Sequence, residues 1–232
     1  MNIEIEDNHI HVWQARIDTS SGFPEEILNT LSQDERERAH KFQFQKDREH
    51  YILRHYQLRL ILSKYCGCQP HEIKFRYNSY KKPFIFMPEF KEIKFNISFS
   101  HDLMLVGLNK YKDIGIDIEK VHEIHDLETL AVNNFSSQEL KALNENLDKT
   151  KTFFTIWTRK EAFIKATGKG MYYPLKSFCV NIISTGSCER PVIFNRPIKS
   201  RLWRIAELIT SEGYIASLAI KSNKFQISYF QL

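Results

Sequence analysis

Apolar residues follow a helical period in two well-separated parts of the chain. In the first part they recur at helical spacing over residues 47–65, and the pattern stops at Gly67. In the second part the same spacing runs over residues 153–167 and stops at Gly168. Glycine commonly ends a helix because it adopts the left-handed conformation without steric cost. The pattern therefore predicts two long helices, each ended by a glycine.

Shorter elements surround both long helices in the same order. A Ser-x-x-Glu capping box begins at Ser32 and again at Ser136, each behind an apolar residue, and predicts a short helix before each long one. Three strand-like runs follow each long helix. They span 73–77, 93–100 and 103–108 in the first part, and 178–183, 203–209 and 214–220 in the second. The repeat predicts an α+β protein of two pseudo-equivalent α/β halves, residues 1–112 and 113–232.

Composition indicates a folded, non-membrane protein. The chain has 232 residues, of which 42% are apolar and 13% aromatic, enough for a substantial core. No apolar run approaches the roughly 20 residues of a membrane span, and the acidic, alternating N-terminus is unlike a secretory signal. We expect a cytoplasmic protein. The formal net charge of +5 suits an anionic ligand or an acidic protein partner without by itself indicating nucleic acid.

Two short motifs place acidic residues on predicted rigid elements. Asp117 and Glu119 lie two apart in a predicted strand, so their side chains leave the same face. Glu161 and Lys165 lie four apart in the second long helix and share one face there. Taken singly, the first motif can be a solvated strand end. The second can be a surface ion pair that stabilises the helix by only roughly 0.3–0.5 kcal/mol. Together, three carboxylates and a lysine are typical of magnesium-assisted phosphoryl transfer.

The same motifs resemble a known family. Gly-Ile-Asp-Ile-Glu at 115–119, followed by Trp-Thr-Arg-Lys-Glu-Ala-Phe-Ile-Lys at 157–165, is similar to the signature pair of Sfp-type 4′-phosphopantetheinyl transferases. Lys-Pro at 82–83, Phe-Asn-Ile-Ser at 95–98 and Gly-Lys-Gly at 168–170 add to the likeness. Either motif alone would be weak, but their order and spacing are specific. The resemblance covers most of the chain.

The resemblance implies a fold and a reaction. The family has two similar halves with coenzyme A bound between them. Its members use magnesium to transfer 4′-phosphopantetheine from coenzyme A to a serine of an apo acyl or peptidyl carrier protein, releasing adenosine 3′,5′-bisphosphate. Two halves in one chain would let a monomer form the whole site. Which carrier protein is the partner depends on surface shape, for which the sequence has no motif.

The resemblance also implies roles for individual residues. Asp117, Glu119 and Glu161 match the magnesium-binding acids, and Glu161 is in addition a candidate general base. The sequence leaves open whether Glu161 is ligand, base or both. Lys165 matches a lysine that contacts the transferred phosphate. Lys160 is expected at the rim of the site, because it faces another side of the helix.

Further residues match the coenzyme A contacts. Lys82 matches a nucleotide contact, although a solvated turn lysine is an alternative. The family usually has Asn-(Ile/Leu)-Ser-His-Ser, whereas this chain has Phe99 at the histidine position. Either Phe99 replaces the histidine, or the Ser-His pair has slipped to Ser100 and His101, which we prefer because imidazole can donate to a phosphate. A basic set lies where the family binds adenine and the 3′-phosphate: Arg36, Arg38, Lys41, Lys46, Arg48 and His50.

Two other functions remain as alternatives at this stage. The basic residues between 36 and 48 and the many aromatic residues would also serve a module that binds RNA or another polyanion. Such a module would bind in a salt-sensitive manner without needing Asp117 or Glu161. A coenzyme A-binding relative that has lost activity is the other alternative, favoured by the irregular segment 98–101 and opposed by the intact acids and Lys165.

Overall fold

The computed structural model describes residues 3–20, 22–180, 192–193 and 202–232. The helices in these ranges are α1 (Gln33–His40), α2 (Gln45–Cys66), α3 (Leu127–Asn134), α4 (Ser137–Glu145) and α5 (Lys149–Thr167). The strands are β1 (His9–Arg16), β2 (Phe75–Tyr77), β3 (Pro83–Ile85), β4 (Ile93–Ser100), β5 (Leu103–Lys110), β6 (Ile114–Lys120), β7 (Phe178–Cys179), β8 (Val192–Ile193), β9 (Arg204–Leu208), β10 (Tyr214–Ile220) and β11 (Gln226–Gln231). Within them, no helix has both the length and the apolar character to cross a bilayer.

The predicted α+β fold is confirmed. The two long helices form, and each ends at its glycine, with φ of 58° at Gly67 and 70° at Gly168. Both capping boxes form at Ser32 and Ser136. The predicted strands are present with small changes of boundary, except that the run 178–183 is a strand only over its first two residues and lies outside the described residues from 181 onward. Strands β1, β3, β8 and β11 and helix α3 were not predicted.

Two sheets, one mixed and one antiparallel, pack against each other across a shared core. The first sheet has the order β11-β1-β5-β4, and the second has the order β6-β10-β9. Strand β11 comes from the end of the chain, yet it pairs in parallel with β1 near the start, with His9 opposite Gln226. The C-terminal strand thus completes the sheet of the N-terminal half. The division at residues 112 and 113 stays a prediction.

Side chains of β4 join the two sheets. The Asn96 side-chain oxygen accepts a hydrogen bond from the backbone nitrogen of Ile116 at 2.8 Å. Ser100 Oγ accepts from the backbone nitrogen of Lys120 at 3.1 Å. Both acceptors occupy the same face of β4, since residues two or four apart in a strand share a face. Strand β4 therefore holds β6 beside it through side chains instead of a backbone ladder.

Alternate residues of β6 lie on two faces of the strand that contact different parts of the protein. Ile114, Ile116 and Ile118 are fully buried in a core shared by the two sheets. Gly115 lies on the opposite face, where a β-carbon would lie 2.0 Å from the Ala162 carbonyl oxygen of α5. Backbone meets backbone there, so α5 lies directly against β6. This contact brings the acidic face of β6 to the face of α5 that carries Glu161 and Lys165.

A buried ion pair ties the short helix to the long helix in each half. Glu35 of the first capping box binds Arg59 of α2, with 2.8 Å between oxygen and nitrogen. Glu139 of the second binds Lys160 of α5 at 2.7 Å. Each cation also donates to a backbone carbonyl beyond its long helix. Breaking a buried pair typically costs roughly 3–5 kcal/mol, so both pairs fix the packing of their helices.

The expectation that Lys160 lies at the rim of the site is wrong. Its side chain is completely buried, and both carboxylate oxygens of Glu139 accept hydrogen bonds from it. The reason is the position of α5, which is enclosed by α3 and α4 on one side and by β6, β9 and β10 on the other. A residue that turns away from the acids therefore enters a second core instead of reaching solvent.

The close contact at Gly115 is open to a direct test. We expect Gly115→Ala to lower the free energy of unfolding by about 3 kcal/mol or more, because the new methyl group meets backbone atoms that cannot rotate away. Gly107→Ala is the matched control, since its β-carbon would first meet the tip of the Ile114 side chain at 3.2 Å. Denaturant unfolding of both variants measures the difference. Equal effects would contradict the account.

Candidate active site

A lysine, a carboxylate and a serine meet where β4, β6 and α5 come together. Lys165 Nζ lies 2.6 Å from Asp117 Oδ1. The lysine also donates to Ser98 Oγ at 2.8 Å, and Ser98 in turn donates to the same Asp117 oxygen at 2.9 Å. Asp117 is 3% exposed, so these two donors compensate part of the cost of burying its charge.

The second oxygen of Asp117 has no such compensation. Asp117 Oδ2 is buried and has no hydrogen-bond partner among the residues that the structure describes. Burial raises the pKa of Asp117, and the positive charge of Lys165 opposes that rise. A buried carboxylate oxygen without a partner is costly, and a cation beside it would remove that cost.

Glu119 is held by the next serine of β4. Ser100 Oγ donates to Glu119 Oε2 at 2.8 Å while it accepts from the backbone of β6. Burial raises the pKa of Glu119, and the hydrogen bond from Ser100 lowers it. Ser98 thus donates a hydrogen bond to Asp117, and Ser100 donates one to Glu119.

Glu161 completes the acidic group from α5. Neither a hydrogen bond nor an ion pair connects its side chain to any other described residue. Burial raises its pKa, and the negative charges of Asp117 and Glu119 raise it further, while Lys165 acts in the opposite direction. The three predicted acids therefore repel one another in a partly buried place. Strand and helix geometry predicted which residues of each motif share a face, and the family resemblance implied that the two motifs meet.

The donor set suits a hard divalent cation. Within the described part of the chain, no three carboxylate, histidine or cysteine side chains are gathered closely enough to hold a metal as they stand. Lys165 binds Asp117 instead. Magnesium, however, binds carboxylate oxygens and completes its shell with water and phosphate oxygens, so the protein need not supply every ligand. The partnerless Asp117 oxygen and the neighbouring Glu119 and Glu161 fit that requirement.

A cavity of about 590 Å³ opens on the other side of β4. Its polar lining comes from α1 and α2, with Arg38, His50 and Arg54, and from the turn after β4, with His101. Two acids, Glu35 and Asp47, also line it, but Glu35 is bound to Arg59, so the two arginines leave the cavity with an excess of positive charge. Aromatic and apolar side chains form the rest of the wall, among them Tyr51, Phe75, Tyr77, Ile97 and Phe99. A basic, aromatic cleft of this size suits an anionic ligand with a flat ring.

The predicted coenzyme A contacts separate in the structure. Arg38 and His101 line this cavity, whereas Arg36 donates to the backbone carbonyls of Leu28 and Leu31 at 3.2 and 2.9 Å. Arg36 therefore caps the segment before α1, away from the cavity. Ser100 donates its hydrogen bond to Glu119 and does not line the cavity.

Lys82 bridges the two halves. Its Nζ donates to the backbone carbonyl of Ile114 at the start of β6, at 3.0 Å. Asn78, in the same loop, donates to the Gly168 carbonyl at the end of α5, also at 3.0 Å. Burial lowers the pKa of Lys82, and Asp113 opposes this shift. The lysine thus lies at the junction where the halves meet, beside the cavity wall formed by Pro83.

The segment 98–100 alternates as a strand should, and His101 begins the turn that follows it. Ser98 and Ser100 face the acids, whereas Phe99 and His101 face the cavity. His101 has a positive φ of 52° in the tight turn between β4 and β5. The imidazole of His101 lines the cavity while its Nδ1 lies 3.4 Å from Ser100 Oγ, which contacts Glu119. The slipped pair therefore stays together at the end of β4, between the cavity and the acids.

Comparisons with known proteins agree with this geometry. A family model described as the 4′-phosphopantetheinyl transferase superfamily matches residues 113–219, and another, described as 4′-phosphopantetheinyl transferase, N-terminal, matches residues 19–109. The 4′-phosphopantetheinyl transferase HetI of Nostoc sp. is 32% identical over 99% of this chain and 94% of its own length. This chain belongs to the 4′-phosphopantetheinyl transferase superfamily.

Other members cover less of the chain. The transferase Sfp of Bacillus subtilis is 33% identical over 72% of this chain and 74% of its own. The transferase gsp of Aneurinibacillus migulanus is 32% identical over 67% of this chain and 63% of its own. The family predicted from the two motifs is confirmed.

Sequence reasoning missed two residues that now stand out in the site. Ser98 contacts both Asp117 and Lys165, but it was noted only as part of a motif. Arg54 reaches the cavity from the middle of α2 and was not singled out at all. The regular alternation of β4 could have pointed to Ser98, because it shares a strand face with Ser100. Nothing in the local sequence distinguishes Arg54 from other helix-surface arginines.

Proposed function

We propose that this protein transfers 4′-phosphopantetheine from coenzyme A to a serine of an apo acyl or peptidyl carrier protein and releases adenosine 3′,5′-bisphosphate. The observation that carries the proposal is the meeting of Asp117, Glu119, Glu161 and Lys165 beside a basic cavity. Family membership supports the same reaction. The cavity and the acids lie on opposite faces of β4, so one elongated substrate can reach both around the turn after this strand.

Magnesium is the cofactor that we propose for this site. Asp117, Glu119 and Glu161 would hold it, and when bound it would neutralise the pyrophosphate and polarise the phosphorus toward attack. Oxygen ligands alone suit magnesium better than softer transition metals. The partnerless Asp117 oxygen supports this assignment, since a cation would satisfy it.

Lys165 is the residue that we assign to the transferred phosphate. Its ammonium has three donors, and the contacts with Asp117 and Ser98 use two of them. The third can donate to a phosphate oxygen and stabilise negative charge as the bond to the leaving oxygen breaks. Ser98 acts as a positioning residue here, because it contacts both charged groups and holds them on one side of β4.

The partner is proposed as a carrier protein in its apo form, with one chain as the working unit. Both halves of the site lie in a single chain, which supports a monomer as the minimal active form. The net charge of +5 favours approach of an acidic partner.

The reaction is best tested by the intact mass of an apo carrier protein after incubation with this protein and coenzyme A. We expect a gain of one phosphopantetheine in the presence of magnesium and none with a chelator. Asp117→Ala should keep its helical circular dichroism but lower the rate at least about 100-fold, because the ion and Lys165 lose their shared partner. A carrier with its acceptor serine changed to alanine is the substrate control.

Two results would contradict the proposal. Normal turnover in Asp117→Ala would overturn the metal assignment. Absence of coenzyme A binding by the wild-type protein would overturn the reaction. If coenzyme A binds and several carriers remain unmodified, the protein is an inactive relative or has a narrower partner range than those carriers cover, and the range of carriers must be widened.

The magnesium dependence of the reaction rate distinguishes the two candidate roles of Glu161, metal ligand and general base. If Glu161 is a ligand, as the mutual repulsion of the three acids favours, Glu161→Gln should need about tenfold more magnesium for half-maximal rate. High magnesium should then restore much of the activity. The measurement is initial rate against magnesium concentration at saturating coenzyme A, with Glu123→Gln as a control for loss of an exposed acid. An unchanged magnesium dependence with a rate lowered throughout would instead assign Glu161 as the general base.

A further inference from the structure

The turn between β4 and β5 holds His101 in a strained conformation. Its φ of 52° lies in the left-handed region, which is unfavourable for a residue with a β-carbon. Such conformations persist only where surrounding contacts fix them, and they cluster at functional sites. The two residues that flank His101, Ser100 and Asp102, make the contacts that fix this turn.

Three atoms of Asp102 accept hydrogen bonds. One carboxylate oxygen accepts from the Tyr214 hydroxyl at the start of β10, and the other accepts from Arg16 of β1 at 2.6 Å. The backbone carbonyl accepts from the Ile17 nitrogen at 2.7 Å. The bond from Tyr214 lowers the pKa of Asp102, and the charges of Arg16 and Lys120 act in the same direction. The carboxylate is therefore ionised near neutral pH, and an ionised acceptor makes a strong hydrogen bond.

The contacts on both sides of His101 lead to neighbouring strands of the second sheet. Ser100 Oγ accepts from the backbone nitrogen of Lys120 in β6. Lys120 is paired with Tyr214 in β10, and the hydroxyl of Tyr214 donates to Asp102. The turn is thus anchored to the second sheet immediately before and immediately after His101, whose imidazole lines the cavity.

We infer that Asp102 and Tyr214 clamp this turn between the two sheets and thereby position His101 against bound coenzyme A. The inference rests on the proposed function and adds two positioning residues to it. Neither Asp102 nor Tyr214 lines the cavity in the described part of the chain. An imidazole N–H must point at its acceptor, because a hydrogen bond weakens steeply as its angle closes. A turn that can rotate would therefore weaken the contact of His101 with the substrate.

Tyr214→Phe tests the inference, because it removes the hydroxyl and keeps the ring. We expect the KM for coenzyme A to rise about fivefold to tenfold, with kcat changed less than about twofold. Asp102→Ala should raise the KM at least as much, and Asp102→Asn, which retains an acceptor for the hydroxyl, should recover part of the loss. Tyr229→Phe is the matched control, since the Tyr229 hydroxyl accepts from the backbone of Ile209 at 3.2 Å and not from the turn. An unchanged KM in both Tyr214→Phe and Asp102→Ala would overturn the inference.

A double-mutant cycle distinguishes positioning of His101 from a general loss of stability. His101→Gly removes the imidazole, and the turn can persist because glycine adopts the left-handed conformation without steric cost. Calorimetry then measures the dissociation constant of coenzyme A without carrier protein or turnover. Adding Tyr214→Phe to His101→Gly should change this constant less than about twofold, because no imidazole is left to position. An equal loss of affinity with and without His101 would contradict the inference.

The same binding data separate this inference from the proposed function. If the wild type binds coenzyme A and modifies a carrier protein, but Tyr214→Phe binds coenzyme A as tightly as the wild type, the inference fails and the function stands. If the wild type binds no coenzyme A, both fail.

Discussion

The backbone contact between β6 and α5 at Gly115 is the constraint on which the site depends. Because a β-carbon at this position would lie 2.0 Å from the helix backbone, only glycine allows the two elements to touch. The contact places the face of β6 that carries Asp117 and Glu119 against the face of α5 that carries Glu161 and Lys165. The isoleucines of β6 fill the core on the other side, so neither element can rotate without exposing apolar surface.

Electrostatics then makes this junction a place that favours cations. Three acids meet in partial burial, and each has a raised pKa because burial disfavours its charge. Two serines of β4 and one lysine offset part of that cost, but within the described ranges one oxygen of Asp117 has no hydrogen-bond partner. Phe99 of the same strand and His101 of the turn that follows it line the basic cavity on the reverse side. One strand therefore supports the chemistry on one face and substrate binding on the other.

Much of this could be predicted from periodicity alone. The helical spacing and terminal glycines identified α2 and α5, and the alternation at 115–119 identified which residues share a face, because both are local properties. Lys160 was misplaced because local spacing cannot tell that a helix is enclosed on both sides. Arg54 was missed because its contact with Phe99 joins residues that are distant in sequence. Strand β11 was missed because its pairing with β1 joins the two ends of the chain.

A crystal structure with manganese in place of magnesium and with coenzyme A bound tests the central claim most directly. Anomalous scattering locates the ion without reference to any prior assignment. The account predicts a single strong peak within bonding distance of the carboxylates of Asp117 and Glu119, with Lys165 donating to a phosphate oxygen of the ligand. A peak elsewhere while coenzyme A occupies the cavity would contradict it, as would coenzyme A bound with no metal near these acids.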